Sequence, residues 1–159
     1  MTVVPLDGDA VDLGALSPEI NALLQRGVAA YRVDRAGADR LFREALAQAP
    51  QELAAYLCLY KIHTYMGGLD YARDIAWAGL REAARQAGWP DDPAQWEPQP
   101  DGSSGAGRFA LYTLKALSFI ELKRDCRDAA LEHLRVLARV DPSGAVGWRV
   151  VEDLALGAA

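Results

Sequence analysis

The chain has 159 residues, 51% of them hydrophobic and 25% charged, a size and composition suited to one globular domain with its own core. Seventeen basic against 22 acidic residues leave a formal charge of −5, which argues against generic binding to nucleic acid or anionic lipid, since both rest on a basic surface. No stretch approaches the ~18 consecutive apolar residues of a membrane span.

Residues 1–16, MTVVPLDGDAVDLGAL, lack a basic residue and an unbroken apolar core, so they read as an N-terminal tail and not as a secretory signal. Ser17-Pro18 is an N-cap followed by proline at the first helical position, leading into a helix with Ile20, Leu23, Leu24, Val28 and Tyr31 on one face. A second helix carries Leu41, Phe42, Ala45, Leu46 and Ala49 and stops at Pro50. The third runs from about Glu52 to Met66, with Leu53, Tyr56, Leu59, Tyr60 and His63 at helical spacing, and Gly67-Gly68 breaks it. Asp70 is expected to cap the fourth, whose Ala72, Ile75, Ala76, Gly79, Leu80 and Ala83 form a stripe that ends at Gly88.

Residues 88–107, GWPDDPAQWEPQPDGSSGAG, then interrupt the helical pattern with four prolines, two tryptophans and four carboxylates. Connections between packed helices usually take about 2–8 residues, so this segment is an insertion. Trp89 and Trp96 seek cover, and the prolines lower the entropic cost of docking them. The first half is therefore expected to pack on the helices and Gly102 to Gly107 to stay mobile. A fifth helix begins near Arg108 with Leu111, Leu114, Leu117, Phe119, Ile120 and Leu122. Asp125 with Asp128 resembles a cap for the sixth, which bears Ala130, Leu134, Leu137 and Val140 and ends at Pro142. Val146 to Leu156 form a terminal helix whose Val150, Val151 and Leu154 are expected to cover the last apolar face.

Small residues recur at a period of 34: Ala38 and Ala72, Phe42 and Ala76, Ala45 and Gly79, with Tyr31 and Tyr65 at the same separation. With GVAAYRVDRAGADRLFREALAQAP in the first unit, Tyr56, Leu59, Gly67, Ala72 and Gly79 in the second, and LKALSFIELKRDCRDAALEHLRVLARVDP in the third, the chain resembles the tetratricopeptide repeat (TPR) family. The first unit has its turn one residue short, and the second has Ala84 where the closing proline belongs. The resemblance implies an all-α, TPR-like stack of three helical hairpins, at about 17–50, 51–88 and 108–142, with a long inserted loop at 88–107 and a C-terminal capping helix at 143–157. Residues 17–159 then form one helical domain.

In that family the first helix of each pair lines a concave groove. The matching positions are Asn21, Tyr31, Arg32, Lys61, Thr64, Tyr65, Tyr112, Lys115 and Lys123, a set that holds all three lysines of the chain. A basic, tyrosine-bearing groove favours an acidic or extended protein surface. The lysines do not occupy the positions of the family's two-carboxylate clamp, so no C-terminal acidic tail is expected as ligand. Trp89, Asp91, Asp92 and Trp96 are the expected loop contacts, with the loop's carboxylates bordering the groove and modulating access to it.

No catalytic or metal-ligating set emerges. His63 lies on an apolar helix face and His133 on an expected solvent face, while Cys58, five residues before His63, points away from it. Cys58 and Cys126 lack the neighbours of a metal site, and the glycines of GSSGAG lack the ending of a phosphate-binding loop. The expectation is a reduced, cytoplasmic, non-enzymatic protein without cofactor, membrane or nucleic-acid partner. Residues 108–155 are also similar to small TPR-like proteins encoded with nitrogen-fixation genes, which implies a chaperone-like accessory factor for nitrogenase or an assembly intermediate. A secretion-type chaperone holding a client peptide in its groove is the alternative, and an enzyme with an unrecognised site a third.

Overall fold

The computed structural model describes residues 2–3, 11–12 and 16–157, the first two pairs by their backbone. Among them the helices are α1 (Pro18–Ala30), α2 (Arg35–Gln48), α3 (Leu53–Met66), α4 (Leu69–Ala87), α5 (Gly105–Lys123), α6 (Arg127–Val140) and α7 (Trp148–Ala155), with a 3-10 turn at Pro93–Gln95. The fold is all-helical but for two short strands, β1 (Thr2–Val3) and β2 (Val11–Asp12), which pair antiparallel within the expected N-terminal tail. The rest of that tail, apart from Leu16, lies outside the described residues. No helix among them is long and apolar enough to cross a membrane. The chain divides into two compact units, Met1–Ile75 and Ala76–Ala159, with the boundary inside α4.

In the first unit α1 and α2 form an antiparallel hairpin. Ser17 caps α1 by accepting from the Ile20 N–H at 3.3 Å, and Asp34 caps α2 by accepting from Gly37 at 2.9 Å. The hairpin closes because Gly27 lacks a side chain: a methyl group there would overlap the ring of Phe42, which is fully buried. Helix α3 packs on α2 and touches α1, and its residues from Leu53 to Tyr60 are all buried. Its end is set by Gly67, whose φ of 85° is the left-handed conformation that stops a helix at little cost for glycine.

The second unit holds α5 and α6 as a hairpin with α7 against both. Phe109, Leu111, Leu114, Leu117 and Ile120 of α5 and Leu134, Leu137 and Val140 of α6 are buried. The turn from α6 to α7 is organised by the buried Asp141, whose carboxylate accepts from the N–H groups of Ala145 and Val146 at 3.2 and 3.1 Å. Its carbonyl accepts from Trp148 Nε1 at 2.8 Å.

Three expectations are corrected here. Helix α5 starts at Gly105 and not at Arg108, so Gly105 to Gly107 are its first turn. Gly107 is buried against Trp89, where a Cβ would come within 2.8 Å of the indole. Asp125 does not cap α6; Cys126 holds that position without a side-chain cap bond. Asp125 instead closes α5, in the left-handed region at φ 64°, with its N–H on Leu122 O at 3.1 Å and that of Cys126 on Glu121 O at 2.8 Å. In α7 the inward face is Trp148, Val151 and Ala155, while Val150 and Leu154 are 68% and 58% exposed, because the Trp148 anchor turns the helix away from the expected face.

Candidate functional site

Helix α5 presents two cation–aromatic pairs on one face. The Lys115 ammonium lies 4.3 Å from the Tyr112 ring centroid and the Lys123 ammonium 5.6 Å from that of Phe119. The spacings are i, i+3 and i, i+4, which a helix brings onto adjacent turns. Each ring face attracts the cation and keeps it close to an apolar surface. Tyr112, Lys115 and Phe119 are half-buried and Lys123 is exposed, so the pairs lie at the rim of the core. The one acid of α5, Glu121, faces inward and pairs with Arg124 at 3.1 Å, so α5 has no exposed carboxylate. Arg108, exposed one turn before Tyr112, donates to Ala145 O at 3.4 Å and borders a cleft of about 520 Å³ with Ser103, Ser104 and Ser143. Arg108 and Phe119 are absent from the residues picked out by the repeat pattern. Their signal was the alternation of cations and aromatics along a single helix.

In the first unit the expected surface residues are mixed in placement. Tyr31 is half-buried under the Arg35 guanidinium at 5.1 Å, Arg32 is exposed, and Asn21 is half-buried and accepts from Gln25 at 3.5 Å. On α3, Lys61 is half-buried and Tyr65 is 46% exposed. Thr64 is buried, and its hydroxyl donates to Tyr60 O at 2.6 Å, so it offers no group at the surface.

The segment 88–104 is a docked strap on the second unit. Trp96 is 1% exposed, its Nε1 donates to Pro90 O at 2.7 Å, and its ring meets that of Trp89 at a centroid distance of 5.1 Å. Arg139, near the end of α6, donates to the carbonyl oxygens of Trp96 at 2.7 Å, Ala94 at 3.0 Å and Pro93 at 3.5 Å. Gln99 adds a backbone bond to Val140 O at 2.8 Å. Asp91 and Asp92 are exposed, and Asp92 caps the short turn by accepting from Ala94 at 3.0 Å.

The histidines and Cys58 have structural settings. His63 Nε2 lies 2.6 Å from Asp39 Oδ1, and the other oxygen of Asp39 accepts from Arg43 at 2.8 Å. The ring of Tyr71 stands edge-on to His63 at 4.5 Å, with Arg43 over its face at 4.3 Å. Burial raises the Asp39 pKa, but the bonds from His63 and Arg43 outweigh it and hold the carboxyl below its usual range. The cluster ties α2 to α3 and to the first turns of α4. His133 does not lie on a solvent face: it is half-buried against Trp77 at 5.5 Å, and burial lowers its pKa against the opposing pull of Glu121 and Glu132. Burial pushes the Cys58 thiol up to about 12, which leaves it protonated and unreactive.

Comparison of the chain with protein-family models, curated proteins and solved structures yields no match.

Proposed function

We propose that this chain is a non-catalytic, TPR-like interaction module that binds an acidic surface of another protein. The observation that carries the reading is the pairing of Lys115 with Tyr112 and of Lys123 with Phe119 on a helix with no exposed carboxylate. Cations held over the faces of aromatic rings lose less hydration on contact than free ammonium groups, so they suit a partner that brings carboxylates and apolar groups together. The period of 34 in small residues and the Gly27–Phe42 approach support the repeat reading, in which hairpins pack through small residues.

The partner we infer from the similarity of residues 108–155 to small proteins encoded with nitrogen-fixation genes is a nitrogenase component or an assembly intermediate. The chain then acts as an accessory factor that shields an incomplete state of that partner. Affinity purification from the native cell with lysine-directed crosslinking tests this. The expected result is a nitrogenase component crosslinked through Lys115 or Lys123; recovery of a secreted client joined through other residues replaces the reading.

A further inference from the structure

We infer that Trp77 and Arg81 of α4, with His133 of α6, form a second anchor for an acidic protein partner, which sets a carboxylate on the guanidinium and an apolar side chain against the indole. This rests on the reading of the chain as a module for such a partner, and it adds a contact site outside α5.

The three residues lie within the second unit and join two helices. Trp77 and Arg81 are one helical turn apart, and the Arg81 guanidinium carbon stands 5.4 Å from the indole centroid. The rings of His133 and Trp77 meet edge to face at 5.5 Å with an interplanar angle of 70°, so α6 steadies the ring that α4 supplies. Trp77 is half-buried and Arg81 is exposed. Part of the indole therefore stays open to a partner, while its contact with His133 restricts its rotamers before anything binds, which lowers the entropic cost of docking.

The local charge selects a carboxylate. Glu82 adjoins Arg81 in sequence, and Glu121 and Glu132 are the acids that act on His133. Each of them is matched by the arginine three residues on: Glu82 by Arg85 at 2.9 Å, Glu121 by Arg124 at 3.1 Å and Glu132 by Arg135 at 2.8 Å. Arg81 has no such acid, and among the described residues its partner is the indole alone. A guanidinium over a ring keeps its N–H fork free to take a carboxylate through two bonds, and it is more weakly hydrated than an ammonium. His133 adds a second open group. Among the described residues nothing hydrogen-bonds to either nitrogen of its ring, and neither nitrogen is enclosed. Burial favours the neutral ring, whose N–H can donate to a carboxylate. Tryptophan and arginine are among the residues that most often dominate protein interfaces. A single-stranded nucleic acid, the other polyanion that stacks on rings, is disfavoured by a chain of formal charge −5.

The test is fluorescence anisotropy of the full chain with a short labelled peptide rich in glutamate and leucine, its glutamine counterpart and a short oligouridylate. The glutamate peptide is expected to bind the wild type at least about ten-fold more tightly than the glutamine one. Arg81→Gln and Trp77→Leu should each weaken its binding by about ten-fold or more, and Arg81→Lys should recover only part of the loss. Circular dichroism and the urea midpoint should be unchanged in Arg81→Gln, which separates a lost contact from a damaged fold. Wild-type affinity in both variants overturns the anchor and leaves the acidic-partner reading standing. A loss in Trp77→Leu with none in Arg81→Gln overturns the carboxylate contact. Failure of the glutamate peptide to bind the wild type overturns the anchor and the reading together, and tighter binding of the oligonucleotide replaces the partner class.

Discussion

Arg139 donates to the carbonyl oxygen of Trp96 at 2.7 Å, so the final turn of α6 holds a segment that lies 43 residues earlier in the chain. The guanidinium's planar fork reaches the carbonyls of Ala94 and Pro93 as well, a geometry that lysine does not reproduce. Arg139→Ala is expected to cost about 1.5–3 kcal/mol, the range for hydrogen bonds to a charged donor. It should also expose the Trp89–Trp96 pair, seen as a red shift in tryptophan emission and faster proteolysis between residues 91 and 101. Arg139→Lys should recover only part of the loss. An unchanged emission spectrum in the alanine variant would show that the tryptophans hold the strap without Arg139.

The α1–α2 hairpin depends on the absence of a side chain at Gly27. Gly27→Ala gains helix propensity but forces the Phe42 ring from its site, and is expected to destabilise by about 1–3 kcal/mol despite that gain. Combining it with Phe42→Leu should give less than the sum of the two single losses, because both act on one contact. Denaturant titration of the four proteins measures this.

Asp125 occupies the left-handed region at φ 64°, which glycine enters without a Cβ penalty. Asp125→Gly should therefore raise stability by up to about 1 kcal/mol, offset in part by the greater freedom of glycine in the unfolded chain. The midpoint of urea unfolding should move up with unchanged slope.

His133 is expected to contribute to the pH dependence of the second unit near neutral pH. Its folded pKa is lowered from 6.5 by burial, so the neutral ring is the form the fold accommodates. Its contribution is complete above pH 6.5 and is lost as pH falls through the lower folded value, because the unfolded chain takes up the proton first. Thermal unfolding should show the wild type losing stability between pH 7 and pH 5, and His133→Leu losing less over the same interval. Equal losses would assign the dependence to other groups.

What the sequence made legible was local. The Ser17 cap, the stop at Pro50 and the break at Gly67 each involve residues within a turn of one another, and their chemistry admits few alternatives. The contacts that place the strap and the histidines were not legible. Arg139 finds its carbonyls across more than forty residues, and Asp39 meets His63 across 24. Faces were misread where a helix is apolar on more than one side: Thr64 sits on a helix buried almost all round, and Val150 and Leu154 lost the inner face of α7 to Trp148. Asp125 was ambiguous because aspartate suits both a helix cap and the left-handed turn. On α5 the opposite held. There the positions matched to the repeat family included Tyr112, Lys115 and Lys123, and Phe119 beside Lys123 awaited the structure.

The central claim, that the lysines engage an acidic protein partner, is tested most directly by charge reversal at Lys61, Lys115 and Lys123 together, read as the yield of crosslinked partner in native-cell affinity purification. With helicity unchanged by circular dichroism, the triple variant is expected to lose the partner that the wild type recovers, and restoration of Lys115 and Lys123 alone should return most of it. Full recovery by the triple variant would contradict the account and remove the three lysines from the protein's function.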